Sequence, residues 1–167
     1  KHVYIAGDRW AGPQIDLRRS VNVLGSLAGV HFLDYNNDLL TNCANQLKSR
    51  GVRFPEELYR RLRKDLISDS TPGLLLVLRQ ANKIVAATYA VIHGDTATYL
   101  LGWSGDIGRK LHAHHLLLWE NLIRLKEQNI RYFDLGGIDE EKTPGIAAFK
   151  LGIGGMKYQL VGEGWCW

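Results

Sequence analysis

The sequence predicts an α+β domain in which helices pack on a mixed, mostly antiparallel sheet. Three observations carry that prediction. Three strand-like runs, LLLVLRQ (74–80), KIVAATYAVIH (83–93) and TATYLLGWS (96–104), follow one another through the short turns Ala81-Asn82 and Gly94-Asp95, the second of which marks a hairpin. The stretch RKLHAHHLLLWENLIRLKEQN (109–129) has the period and length of a long helix and sits between two strand-like runs, the order of a parallel crossover. Ahead of residue 70 the apolar residues recur with helical spacing, so helices precede the three-strand meander.

Taken in order, HVYIA (2–6) reads as a short strand and GDRWAGP as a turn-rich connector. IDLRRSVNVLGSLA (15–28) suits a short helix flawed by a glycine, and GVHFLDY (29–35) is extended. Asn36, Asn37 or Asp38 can cap the helix DLLTNCANQLKSR, which ends at Gly51. PEELYRRLRKDLIS (55–68) opens with proline and two acids, both of which favour a helix start, and carries the stripe Leu58, Tyr59, Leu62 and Leu66. After the meander and the long helix, IRYFDLGG (130–137) is a strand, TPGIAAFKLGIGG holds a short helix, and MKYQLVGEGWCW adds one or two strands. Ligands of such sheets gather where neighbouring strands splay, near the start of the crossover helix.

Composition narrows the functional classes. The 167 residues fit one domain, with 46% hydrophobic and 23% charged residues, values ordinary for a globular protein. No run approaches the ~18 apolar residues of a membrane span. KHVYIAGDRW has no apolar h-region, so no signal peptide is expected. Two cysteines far apart in sequence, Cys43 and Cys166, fit free thiols in a reducing compartment, which makes the cytoplasm the expected location. A net charge of +4 and a pI near 9.1 point to an anionic partner such as a phosphate, a nucleotide or RNA.

Several candidate chemistries can be weighed on residue physics. SGDIGRK (104–110) offers glycines, a helix N-terminus and the cations Arg109 and Lys110; it reads equally as an anion site and as a tight turn with a solvated basic helix start. His112 and His115 lie three apart on one helix face, but no third metal ligand is evident, so core or surface histidines are preferred, as for His31 and His93. Ser104 lies in GWSG, not in G-x-S-x-G, so no hydrolase triad is expected, and Cys43 reads as a half-buried thiol. The basic run LYRRLRK (58–64) reads as a solvated face in preference to an RNA-binding patch.

The stretch YFDLGGIDEEKTPGIAAFKLGIGG (132–155) is more informative. Gly136-Gly137 permit a sharp turn and close backbone approach at a strand end. Pro144 suits the first turn of the helix that follows, and Ala147-Ala148 allow tight packing. Lys150 then stands among small apolar residues. Two readings remain open: a cation held to meet negative charge developing at a carbonyl, or a lysine whose stem lies on apolar surface while its head reaches water.

FDLGGID followed by GIAAFKLGIGG resembles the C-terminal signature of the Fem family of aminoacyl-tRNA-dependent peptidyltransferases. IDLRRSVNVLGSLAGVHF is similar to that family's Arg-rich helix and following strand, and KIVAATYAVIHGDTATYLLGWS with HHLLLWENLIRLKEQNIRYFDLGG follows its strand–strand–helix–strand order, so the likeness spans roughly 15–160. The resemblance implies a GNAT-like acyltransferase fold and an aminoacyl-tRNA donor. The acceptor it implies is an amine on a peptide or peptidoglycan-type precursor. It assigns catalysis to Lys150, with Phe149 beside it, and places Tyr99, Trp103 and Asp134 around the same splayed region. Arg18, Arg19, Arg109 and Lys110 would hold phosphates. Members of that family often carry two copies of the fold; a single copy here implies a reduced relative, a fragment or a homodimer. Gly105 and Gly108 do not keep the spacing of the acetyl-CoA motif Q/R-x-x-G-x-G/A, which argues for a Fem-like donor. No metal or other cofactor is expected. The competing expectations are an acyl-CoA-dependent transferase and a non-catalytic GNAT-like binding domain.

Overall fold

The computed structural model describes residues 2–6, 30–31, 37–49, 73–80 and 83–160, and the elements are numbered over those residues. They are β1 (His2–Ala6), β2 (Val30–His31), α1 (Asn37–Ser49), β3 (Gly73–Gln80), β4 (Lys83–His93), β5 (Thr96–Ser104), α2 (Asp106–Lys110), α3 (Ala113–Glu127), β6 (Tyr132–Gly137), α4 (Pro144–Gly152) and β7 (Met156–Tyr158). The helices expected over 15–28 and 55–68, with Arg18, Arg19 and the basic run 58–64, lie outside the described residues, as does Cys166.

One sheet in the order β2-β3-β4-β5-β6-β1-β7 organises these elements. All its pairings are antiparallel except β5 with β6, which is parallel, as the crossover order requires. The β4–β5 hairpin turns at Gly94, whose φ of +63° at the first of two loop residues is the conformation a type II′ turn asks of glycine.

Alternation along β3 explains the continuous apolar run LLLVL. Leu74, Leu76 and Leu78 face a core shared with α3, whereas Val77 faces a second core on the other side of the sheet. The first core gathers Ala113, Leu116, Leu117, Leu118, Leu122 and Leu125 of α3 against Ala90, Ala97, Phe133 and Leu135. The second is smaller: Cys43 of α1 packs with Val77, Ala87, Tyr89 and Leu101. Both faces of the central strands are therefore covered, which makes a run without polar interruption stable there.

The helix expected over 109–129 is two helices. His112 stands between α2 and α3 in the left-handed conformation, φ 51° and ψ 31°, and redirects the chain. α2 is held against β4 at close range: the Gly105 N–H donates to the Val85 carbonyl (3.0 Å), and a Cβ on Gly108 would lie 2.2 Å from that same oxygen. Within α3, Asn121 is fully buried, and its amide donates to Thr88 Oγ1 (2.8 Å) and to the Leu117 carbonyl (2.7 Å), fastening the helix to β4.

Phe133 is 0% exposed and bridges β6 to the α3 core. Phe133→Ala is expected to cost about 3–5 kcal/mol in urea unfolding, the range for a truncated buried aromatic; a loss below about 1 kcal/mol would contradict this packing.

Candidate active site

The parallel pairing of β5 with β6 ends early. Its register runs Thr96↔Tyr132, Ala97↔Phe133 and Thr98↔Asp134. Beyond Thr98, β5 continues for six residues along β4 while β6 turns away at Gly136, so the sheet opens into a wedge. At the same level β5 carries an extra residue: Tyr89 pairs with Leu101 and Ala90 with Tyr99, which leaves Leu100 as a bulge.

The bulge decides which side chains enter the wedge. Without it Tyr99 and Leu101 would share a face. With it, Ala97 and Tyr99 face α3, Leu101 and Trp103 face the opposite core beside Cys43, and Ser104 returns to the α3 side. His114 in the first turn of α3 then bridges two residues of β5. The Tyr99 hydroxyl and His114 Nε2 are 2.6 Å apart, and Ser104 Oγ and His114 Nδ1 are 3.2 Å apart. Gly102 makes this possible, since a Cβ there would sit 1.5 Å from the Tyr99 hydroxyl oxygen and 2.7 Å from His114 Cε1. The edge of Phe149 meets both His114 (5.8 Å between ring centroids) and His115 (4.6 Å). Burial, reinforced by the neighbouring His112, holds the His115 imidazole below the usual histidine range.

These groups line a cavity of about 570 Å³, with Tyr99, His114, Phe149 and Lys150 around its polar part and Leu118, Leu135 and Ile146 in its apolar wall. Cys43 and Gln46 of α1 also reach it, so the wedge communicates with both faces of the sheet. Cys43 is buried more deeply than expected, and desolvation pushes its thiol up to about 12, which leaves it inert as a nucleophile at neutral pH.

Lys150 lies in the last turn of α4, and its ammonium donates to the Gly137 carbonyl at 2.8 Å. Gly136 turns the chain here with φ +77°, a conformation that favours glycine. Burial lowers the Lys150 pKa from its ordinary 10.5, and the nearby Asp134 carboxylate opposes that shift. Asp134 is itself fastened, with Oδ1 accepting the Gly136 N–H (2.8 Å) and Oδ2 accepting the Tyr158 hydroxyl (3.1 Å).

Of the residues expected around the site, Lys150, Phe149, Tyr99 and Arg109 line the cavity. Trp103 does not, because the bulge turns it to the other face, and Asp134 stands behind Lys150 as a charge and a turn anchor. Lys110 is exposed on α2 and is not part of the wall. Arg109 donates to the Ser104 carbonyl (2.7 Å) and pairs with Asp106, and Gly105 and Gly108 serve close packing on β4. The loop 104–110 is thus packed closely on β4. His114 and Ser104 were missed as a pair; the signal present was a glycine inside a strand, Gly102, which marks close approach. No group of three or more metal-ligating side chains occurs among the described residues.

A mixed sheet whose two parallel neighbours part around a cavity, backed by a long helix, is an acyltransferase-type domain. The chain belongs to the GNAT family: the profile described as an acetyltransferase (GNAT) domain matches residues 16–159. Among solved structures the chain is similar to FemX, with a TM-score of 0.67 at 13% identity over 93% of this chain and 58% of FemX. It is also similar to the C-terminal domain of an Agrobacterium fabrum protein assigned as a lysylphosphatidylglycerol synthetase, with a TM-score of 0.56 at 18% identity over 93% of this chain and 56% of that one. At these identities the likeness is one of fold, and the chain spans little more than half the length of either structure. Among curated proteins none matches the sequence. No helix of the described residues is long and apolar enough to cross a membrane.

The electrostatics of Lys150 are directly measurable. Followed by NMR at its ε-methylene, Lys150 is expected to titrate below 10.5, and Asp134→Asn is expected to lower it further by removing the opposing carboxylate. The folded state then binds fewer protons than the unfolded one between the two pKa values, so stability rises with pH across that interval. Titration at or above the ordinary lysine value would contradict the burial described.

Proposed function

We propose that this domain transfers an aminoacyl group from a charged tRNA to an amine on a peptide or peptidoglycan-type precursor. The observation that carries the reading is the placement of Lys150: a partly desolvated ammonium, tethered to the Gly137 carbonyl, at the open end of the β5–β6 wedge and beside Phe149. In aminoacyl transfer the amine attacks an ester carbonyl, and negative charge gathers on the carbonyl oxygen. A fixed cation in a site of low dielectric stabilises that oxygen more than it stabilises the neutral ester, which is the requirement for rate acceleration. The tether sets the ammonium in place before substrate arrives, so little reorganisation is needed in the transition state.

The likeness to FemX and the FDLGG…FKLGIGG signature support a donor of the Fem type. Exposed Lys110, Arg109 at the rim, and Arg18 and Arg19 outside the described residues are the proposed phosphate contacts. The domain is proposed to act in the cytoplasm without a metal or other cofactor. A second copy of this chain is proposed to complete the acceptor side.

A second reading has one observation in its favour, the matching acetyltransferase family. In it, an acyl-CoA thioester takes the place of the aminoacyl ester at the same wedge. A thermal-shift comparison separates the two. Stabilisation by an aminoacyl-RNA mimic, weakened by salt, supports the first reading; stabilisation by coenzyme A or acetyl-CoA transfers the site to the second. No shift with any of them, and no turnover, leaves a binding domain without catalysis.

Lys150→Ala is expected to reduce kcat by about 10²–10³, the loss typical of one oxyanion donor, with little change in melting temperature. Unchanged turnover in that variant would remove Lys150 from the mechanism.

A further inference from the structure

The transfer reaction leaves a proton to account for. An attacking amine must lose one, and the departing oxygen must gain one; Lys150, already a cation bound to a carbonyl, cannot accept the first. We propose that His114 receives the amine's proton, with Tyr99 as the intermediary that faces the substrate. The proposal rests on the transferase reading and adds the residue that moves the proton.

The two contacts of the ring, Tyr99 hydroxyl to Nε2 at 2.6 Å and Ser104 Oγ to Nδ1 at 3.2 Å, fit either tautomer. The relay uses the one in which the Tyr99 O–H donates to Nε2 and Nδ1–H donates to Ser104 Oγ. This is the tautomer of a base whose rear nitrogen is oriented by a third group. The three residues come from two elements and share the cavity wall with Lys150 and Phe149. Their meeting depends on three separate features: the bulge at Leu100, the missing Cβ at Gly102 and the break at His112 that starts α3 where it does.

The step balances as follows. The acceptor nitrogen forms a bond to the acyl carbon, and the carbonyl π pair moves onto oxygen beside Lys150. The nitrogen's proton passes to the Tyr99 oxygen as the Tyr99 proton passes to His114 Nε2, giving an imidazolium that keeps its Nδ1–H on Ser104. When the tetrahedral species collapses, the carbon–oxygen ester bond breaks, and the departing alkoxide takes a proton back along the same path. Net, one N–H proton becomes the proton of the released hydroxyl, and both side chains end as they began. Proton transfer of this kind contributes about 10²–10⁴ to rate.

The test has two arms. In the first, ¹⁵N NMR of the imidazoles in the free protein is expected to show His114 protonated at Nδ1, with the Nε2 shift altered in Tyr99→Phe. The Nε2–H tautomer would overturn the proposal whatever the activity. In the second, an alanyl-RNA minihelix serves as donor and a lysine-bearing peptide as acceptor. His114→Ala, His114→Gln and Tyr99→Phe are each expected to lower kcat by about 10²–10⁴. The double variant is expected to be no worse than the poorer single one, because the pair acts as a unit. Added imidazole is expected to restore His114→Ala, with the restored rate rising with the basicity of substituted imidazoles, which a purely structural role would not produce. His114→Gln as active as wild type overturns the relay and leaves the transferase reading standing. A wild-type protein that turns over neither this pair nor acetyl-CoA removes both.

Discussion

Parallel pairing between β5 and β6 stops at Thr98 and Asp134, and the site depends on that stop. Strands that stayed paired would put hydrogen-bonded backbone where the cavity lies. Two local causes drive them apart. Gly136 takes a left-handed conformation that its neighbour Asp134 reinforces by accepting the Gly136 N–H, so β6 bends. Leu100 is the extra residue on β5, and a bulge adds local twist and re-aims the chain. Each is a departure from regular structure, affordable because the surrounding sheet is well anchored: β4 pairs along nearly its full length on both sides, and α3 is fastened to it through Asn121.

The legible part of the fold was the part governed by one-dimensional pattern. β3, β4 and β5 appear as strand-like, largely apolar runs because both faces of the sheet are covered, and glycine at the hairpin turn marks its position. Pro144 and the small residues after it announce α4. The break at His112 was not legible, since LHAHH keeps helical period through it and a lone left-handed residue leaves no compositional trace. The bulge was equally silent, and with it went the facing of Trp103. The pairing of Arg109 with Asp106 was legible, since a spacing of three residues predicts a pair on a helical turn.

Within the site, Lys150 and Phe149 could be singled out because a lysine set among small apolar residues stands out in local composition. His114 could not. It lies fifteen residues from Tyr99 and ten from Ser104, and such distances carry no periodic signal. The only local hint was Gly102, whose value lies in an absent Cβ and is visible only once Tyr99 folds over it.

The charge arrangement separates two demands that would conflict on one residue. Stabilising an oxyanion calls for a cation that keeps its proton; accepting a proton from an amine calls for a base that lacks one. Lys150 is partly desolvated, which weakens its hold on a proton, and Asp134 restores part of that hold. Asp134 can act in this way because both its oxygens are occupied by Gly136 and Tyr158, so its position, and the field it exerts on the ammonium, are set by β6 and β7. His114 is oriented instead by β5, through Tyr99 and Ser104. Lys150 is thus held from one side of the wedge and His114 from the other, and the strand separation that creates the cavity also keeps the two side chains on different supports.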